Sequence, residues 1–451
     1  MMGERTVAQE ALFYEFSLER HVPCDHLLRS IDRFVDLSGI RDYLRPYYSE
    51  CGRPSVDPEL MIRMLIIGYT HGVRSERRLC EEVHLNLAYR WFCRLGLEGA
   101  VPDHSTFSKN RHGRFRDSDL LRHLFEATVG RCLAEGLVGG EGFTVDASLI
   151  RADANRQRGS KGEESLPAEA TSRAVAEYLA VLDDAAFGAA TPVVPKYLSL
   201  ADSAARYTSA HGGPAQFCYA TNYLIDVENA VIMDVEATTA VRQAEVTAAK
   251  RMIERTMERF GTWPEKLIAD TGYGSAEMLA WLVEEKAIEP HIPVFDKSRR
   301  TDGTFSREAF DYDLRRDLYR CPGGKPMRTS GTLVNDGATL LYRASKLDCQ
   351  VCSLKPRCCP NEPARKVPRS IHEGARDMAR GIARTDEWLI SRRQRKKVEM
   401  LFAHLKRILG LDRLRLRGPN GARDEFHLAA AAQNLRKLAK LIPQAVPAMA
   451  G

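Results

Sequence analysis

Two short apolar runs, each carrying an aspartate, set the frame into which this chain can fold. Gly142-Phe143-Thr144-Val145-Asp146-Ala147-Ser148-Leu149-Ile150 is β-branched and glycine-bounded, which favours a strand. Leu267-Ile268-Ala269-Asp270 reads as a buried strand that ends on a carboxylate; Gly272 and Gly274 supply the turn, and Ser275 caps a helix reaching Glu285. Between them, 216–225 and 231–237 read as strands joined by a turn at 226–230, followed by a helix over 240–260. A further strand is expected over 288–294. Strand, hairpin, helix, strand, helix, strand is the order of an α/β fold.

The flanks differ. Residues 24–116 read as helices, the clearest starting with Asp57 as N-cap and Pro58 in the first helical position and closing at Gly72. A second helix is expected over 75–96, and a third segment over 104–116 carries Lys109, Arg111, Arg114 and Arg116. The pattern predicts an all-helical N-terminal DNA-binding domain over 1–117 and an α/β core over 118–295, with 155–199 as a surface excursion. A polar, Cys- and Pro-containing insertion follows over 296–370, and 371–451 completes the core with helices at 386–409 and 424–441.

Length and composition set limits. A chain of 451 residues holds about two or three domains. With 66 Lys+Arg against 60 Asp+Glu, a nucleic-acid footprint has to come from clustering rather than total charge. No run of 18 apolar residues occurs and the N-terminus mixes charges into its apolar residues, so a soluble, cytoplasmic protein without membrane contact is expected. Eleven cysteines without a secretion signal argue against a disulfide framework. Five crowd into 321–359 as Cys321-Pro322-Gly323-Gly324, Cys349-x2-Cys352 and Cys358-Cys359, the kind of spacing that forms a tetrahedral Zn²⁺ site. Cys321, Cys349, Cys352 and Cys358 are the expected ligands, with Cys359 spare; ordinary free thiols are the alternative.

On a helix over 392–409, Val398, Leu401, Phe402, Leu405, Ile408 and Leu409 form an apolar stripe. Arg395 lies about 40° and Lys406 about 20° from Glu399 around the helix, so all three share a narrow face. Ten Lys/Arg fall within 391–417, Arg392 and Arg393 among them, against only Glu399 and Asp412. That composition suits a phosphate-backbone surface, or, more plainly, a solvated basic helix.

Together these residues resemble the DDE transposases of bacterial insertion sequences, close to the insertion-sequence-five-like lineage and its eleven-eighty-two group. The resemblance rests on Val145-Asp146-Ala147-Ser148, Ala269-Asp270-Thr271-Gly272-Tyr273 and Arg395-x3-Glu399-x6-Lys406, and it spans nearly the whole chain. Val101-Pro102-Asp103-His104-Ser105-Thr106-Phe107 and the tail from Glu425 through Asn434-Leu435-Arg436-Lys437-Leu438 look like the corresponding parts of such enzymes. Where the family signature has a Tyr three residues before the Arg, this chain has Arg392.

The resemblance implies an RNase H-like core of the retroviral integrase superfamily, with Asp146, Asp270 and Glu399 as catalytic and metal-binding carboxylates. Mg²⁺ (or Mn²⁺) is the expected cofactor: two ions about 4 Å apart serve both ends of an in-line phosphoryl displacement, Asp146 bridging them while Asp270 and Glu399 each hold one. Expected partners are double-stranded DNA, as element ends and as target, and a second copy of the chain in a synaptic complex. Arg395, Lys406, Arg392, Arg393, Lys109 and Arg111 are expected to contact DNA, whereas His104 reads as a capping residue. Asp153, Asp202, Asp226 and Asp234 are rival carboxylates, but none follows a buried strand into a glycine turn. An RNase H-like nuclease without strand transfer, and a catalytically idle transposase-derived regulator, are the competing functions.

Overall fold

The computed structural model describes residues 16–52, 55–161, 172–188, 195–209, 213–296 and 300–442, and shows a mixed α/β protein with a helical N-terminal region. Residues 162–171 and 189–194 of the expected 155–199 excursion lie outside the described residues; the rest includes a short helix, Arg173–Ala180, that buries Ala174, Val175 and Tyr178.

Helix α1 (Pro58–Thr70) begins where the Asp57 carboxylate accepts the Glu59 N–H at 3.2 Å, with Pro58 in the first turn. The helical stretch expected over 75–96 is built of two helices, α2 (Glu76–Leu85) and α3 (Leu87–Phe92). Asn86 sits between them in extended backbone, and its side-chain oxygen accepts the Ala88 and Tyr89 N–H groups, so it ends one helix and caps the next. Likewise α4 (His104–His112) stops at Gly113 rather than running to 116. Helix α5 (Leu120–Ala134) leads into β1 (Gly142–Arg151).

Beyond lie β2 (Arg206–Thr208), which the sequence did not announce, then β3 (Gln216–Asp226), β4 (Ile232–Thr239), α6 (Arg242–Phe260), β5 (Lys266–Ile268) and β6 (Glu289–His291). Five more strands follow: β7 (Asp311–Asp313), β8 (Leu318–Arg320), β9 (Pro326–Val334), β10 (Thr339–Ala344) and β11 (Lys366–Ser370). Two long helices close the chain, α7 (Asp386–Arg407) and α8 (Gly418–Leu441).

The chain divides into two compact units, one made of Met1–Gly139, Ala147–Gly261 and Lys397–Gly451, the other of Gly140–Asp146 and Thr262–Lys396. Strand β1 belongs to the second by its first five residues and to the first by the rest.

In the first unit β3 and β4 form an antiparallel hairpin with an irregularity between Leu224 and Ile225, and β2 extends it along β3. Asp226 closes the turn by accepting the Glu228 and Asn229 N–H groups, each at 3.1 Å. Helix α8 packs on α1, α5 and β4. It is buried almost all round, and its run Ala429–Ala432 lets neighbouring elements approach closely. Asn434 completes this packing: its amide accepts from Ile232 N at 2.9 Å and donates to Ile232 O at 2.8 Å.

In the second unit β1, β5 and β6 are parallel neighbours, with Gly142, Phe143 and Thr144 opposite Lys266, Leu267 and Ile268, and these in turn opposite Glu289, Pro290 and His291. The stretch expected as a polar insertion contains a five-stranded antiparallel sheet in the order β11-β10-β9-β8-β7. Phe310, Tyr319, Met327, Tyr342, Val367, Cys358 and Cys359 form its own apolar cluster. No helix among the described residues is long and apolar enough to cross a membrane.

Candidate active site

Register brings the two aspartates together. Thr144 of β1 stands opposite Ile268 of β5 in a parallel pair, so two residues further on each strand Asp146 and Asp270 leave the same edge. Neighbouring strands are about 4.8 Å apart, close enough for two carboxylates to share one cation. Arg395 is that cation here: its Nη2 lies 3.7 Å from Asp146 Oδ2 and 3.9 Å from Asp270 Oδ2. Its Nε is buried without a hydrogen-bond partner, so the guanidinium is held by charge more than by a full set of bonds.

Local sequence fixes Asp270. Its Oδ1 accepts the Gly272 N–H at 2.6 Å and starts a single turn over Thr271–Tyr273, as an N-cap does. Gly274 is required next, because a Cβ there would fall 2.1 Å from the Pro293 carbonyl oxygen. Ser275 then caps the following helix by accepting the Met278 N–H, as expected.

Of the remaining predicted residues, Glu399 is exposed and follows Arg395 by four positions on α7, one helical turn on. Lys406 is half-buried; burial draws its pKa down, while Cys218 and Asp412 nearby oppose the shift. Arg392 and Arg393 are exposed on α7. Asp146 and Asp270 are the hard-oxygen donors brought together, and among the described residues no three His, Cys, Asp or Glu side chains are arranged around one metal position.

The rival carboxylates are all engaged structurally. Asp153 pairs with Arg413 and Arg417, and Asp234 with Arg122 and Arg255. Asp226 builds its turn. Asp202 is buried, accepting from the Tyr219 hydroxyl and from Gly418 N. Burial pushes its pKa up to about 6. A carboxyl that keeps its proton to pH 6 when folded, but releases it near 4 when unfolded, stabilises the fold fully below pH 4 and loses that contribution as pH rises through 6. Asp202→Asn should therefore gain stability relative to wild type between pH 4.5 and 7, by on the order of 2–3 kcal/mol; a pH-independent difference in unfolding free energy would contradict this.

In the helical head, Lys109 is exposed and lines a groove of about 650 Å³ with Asn110 and Arg114. Arg111 does not share it. It is buried and paired with Glu76 at 3.0 Å, so it ties α4 to α2 and is not placed to meet DNA. His104 is exposed beside Asp103, whose carboxylate caps α4 through Ser105 N.

The five clustered cysteines line one small cavity, together with Pro322, Gly323 and Arg365. The Cys321 and Cys352 sulfurs both face Gly323. Cys359, expected as the spare, contacts both Cys349 and Cys358, and burial pushes its thiol pKa up. Burial pushes Cys358 up to about 11.

Two families match the chain: one described as a transposase domain (DUF772), over residues 16–113, and one described as a transposase DDE domain, over residues 320–439. These matches support a DDE transposase. The first covers the helical head, and the second runs from β8 through most of α8, taking in the cysteine cavity, Arg395, Glu399 and Lys406. Asp146 and Asp270 lie outside both matched segments; what brings them together is the pairing of β1 with β5. No solved structure matches the chain.

Proposed function

We propose that this transposase binds the terminal inverted repeats of its own insertion sequence, of the eleven-eighty-two group, hydrolyses the phosphodiester bonds at the element ends and joins the freed 3′-OH groups to target DNA. The observation that carries the proposal is the convergence of Asp146, within β1, and Asp270, just past the end of the neighbouring parallel strand β5, on the Arg395 guanidinium. A half-buried cation between two carboxylates marks a place suited to positive charge, and oxygen-only donors fit Mg²⁺ or Mn²⁺. Glu399, one turn beyond Arg395, is the third carboxylate of the proposed RNase H-like core. Divalent ions bound there would activate the attacking oxygen and stabilise the leaving one.

The protein's own residues divide the remaining work. Asp146 and Asp270 fix the reacting edge, Arg395 keeps them together and offers a guanidinium to a phosphate, and exposed Arg392, Arg393 and Lys109 have the charge that suits a phosphate backbone. Lys406 stands on the Glu399 face of the helix. Cleavage and joining are the same displacement: an oxygen of water or of a 3′-OH attacks phosphorus, the P–O3′ bond breaks, and the attacking oxygen's proton passes to solvent. Two ends must be handled together, which favours a homodimer in a synaptic complex, acting in the cytoplasm. The thiols around the cysteine cavity have the softness Zn²⁺ prefers, and a structural ion there would give about one zinc per purified chain; a ratio near zero removes it.

Incubating the protein with labelled DNA carrying its gene-flanking sequences and Mg²⁺ or Mn²⁺ tests the main reading. End-specific nicks and joined products, both lost in Glu399→Gln, are expected. Nicks without joining would indicate a nuclease, and binding without nicks a regulator.

A further inference from the structure

Helices α7 and α8 enclose a groove of about 770 Å³ that the transposase site does not use. Lys397 and Arg407 enter it from α7, and Arg436, Lys437 and Lys440 from α8. Lys397 and His404 lie about 140–160° around α7 from Glu399, and Arg407 about 80°, so the groove faces away from the Arg395–Glu399–Lys406 stripe.

The cations are poorly compensated. Asp25 is the one acidic residue among the described residues lining the groove. Among the described residues none of the five cations has a carboxylate within ion-pair distance, and only Arg436 has a hydrogen bond, to Thr70 O at 2.8 Å. Burial lowers the Lys437 pKa, with Lys440 adding to the effect; burial and then the charges of Arg436, Lys437 and Lys440 lower that of His404. Like charges crowded along a concave surface repel one another until a polyanion fills it.

From this groove we infer a second DNA-binding surface, one that holds the phosphate backbone of duplex DNA away from the reacting edge; the inference builds on the transposase reading. Its apolar lining is aliphatic, Met400, Leu401 and Ile408, with no Phe, Tyr or Trp ring among the described residues that line it. Single strands are gripped by stacking bases on aromatic rings, and this groove offers none. Five cations without base-reading geometry make a sequence-independent contact, whose mark is salt dependence.

The test measures binding of the full chain to a random-sequence duplex between about 50 and 200 mM salt. Arg407→Gln/Lys437→Gln/Lys440→Gln should reduce the slope of log affinity against log salt by about 2 to 3, since each lost phosphate contact removes about 0.9. Lys440→Gln alone, at the exposed end of α8, should remove about 0.9 and serves if the triple variant does not fold. An unchanged slope overturns the groove, as does an unchanged slope with loss of self-association, which would make it a protein interface. Cleavage by wild type that depends on Asp270, with slopes unaltered in the variants, removes the groove and leaves the transposase reading standing. Groove-dependent slopes without Asp270-dependent cleavage do the reverse.

Discussion

Replacing Asp270 with Asn should lower phosphodiester cleavage at the element ends by about 10³-fold or more, a loss of about 4 kcal/mol of transition-state stabilisation. Binding of the same DNA should stay within about threefold, because the proposed DNA contacts are cationic and lie at other residues. Asparagine makes a clean test. Its amide oxygen can still accept the Gly272 N–H that Asp270 now accepts, so the turn over Thr271–Tyr273 survives. What it removes is the negative charge facing Arg395, and with it a donor for a hard divalent ion. Asp146→Asn, from the partner strand, should behave alike. Cleavage within tenfold of wild type in either variant would show that these carboxylates are not the reacting pair.

The largest effect on stability is expected at Glu425. Its carboxylate is fully buried, accepts the Arg415 and Leu416 N–H groups at 2.6 Å each, and pairs with buried Arg74, which also stacks on Tyr69. Glu425→Ala would strand a buried guanidinium and two amides, at a cost of about 3–5 kcal/mol. In a unit of this size that lowers the unfolding midpoint by on the order of 10 °C. Glu425→Gln keeps an acceptor for the amides and should lose less. A midpoint within two or three degrees of wild type for the alanine variant would mean that solvent reaches Arg74 and relieves it.

Where a residue's job is local, sequence told it well. Asp57-Pro58 starts α1, Asp226 turns the hairpin, and Asp270 with its glycines ends β5 and starts a turn, because each depends on neighbours within a few positions. Longer-range facts were less visible. The sheet over 311–370 is built of short strands whose side chains are mostly half-exposed, so polar composition masked its alternation. Helix α8 begins at Gly418, six residues earlier than expected, since Pro419 is tolerated in a first turn and need not mark a loop. Arg111 read as a DNA contact because charge counts carry no burial; only the fold reveals Glu76 beside it. For the candidate site, the three carboxylates and Arg395 were legible as a family pattern. The register that sets Asp146 beside Asp270 was not.

The way α8 is used has a consequence for how the protein is made. The helices α1 and α5 rest on residues 418–441, which leave the ribosome long after both have been made. At about 5–20 residues per second, the head waits tens of seconds for the helix that completes it, its apolar faces open meanwhile. A nascent chain in that state is a client for holding factors, and one that stops before Gly418 lacks the helix on which α1 and α5 pack.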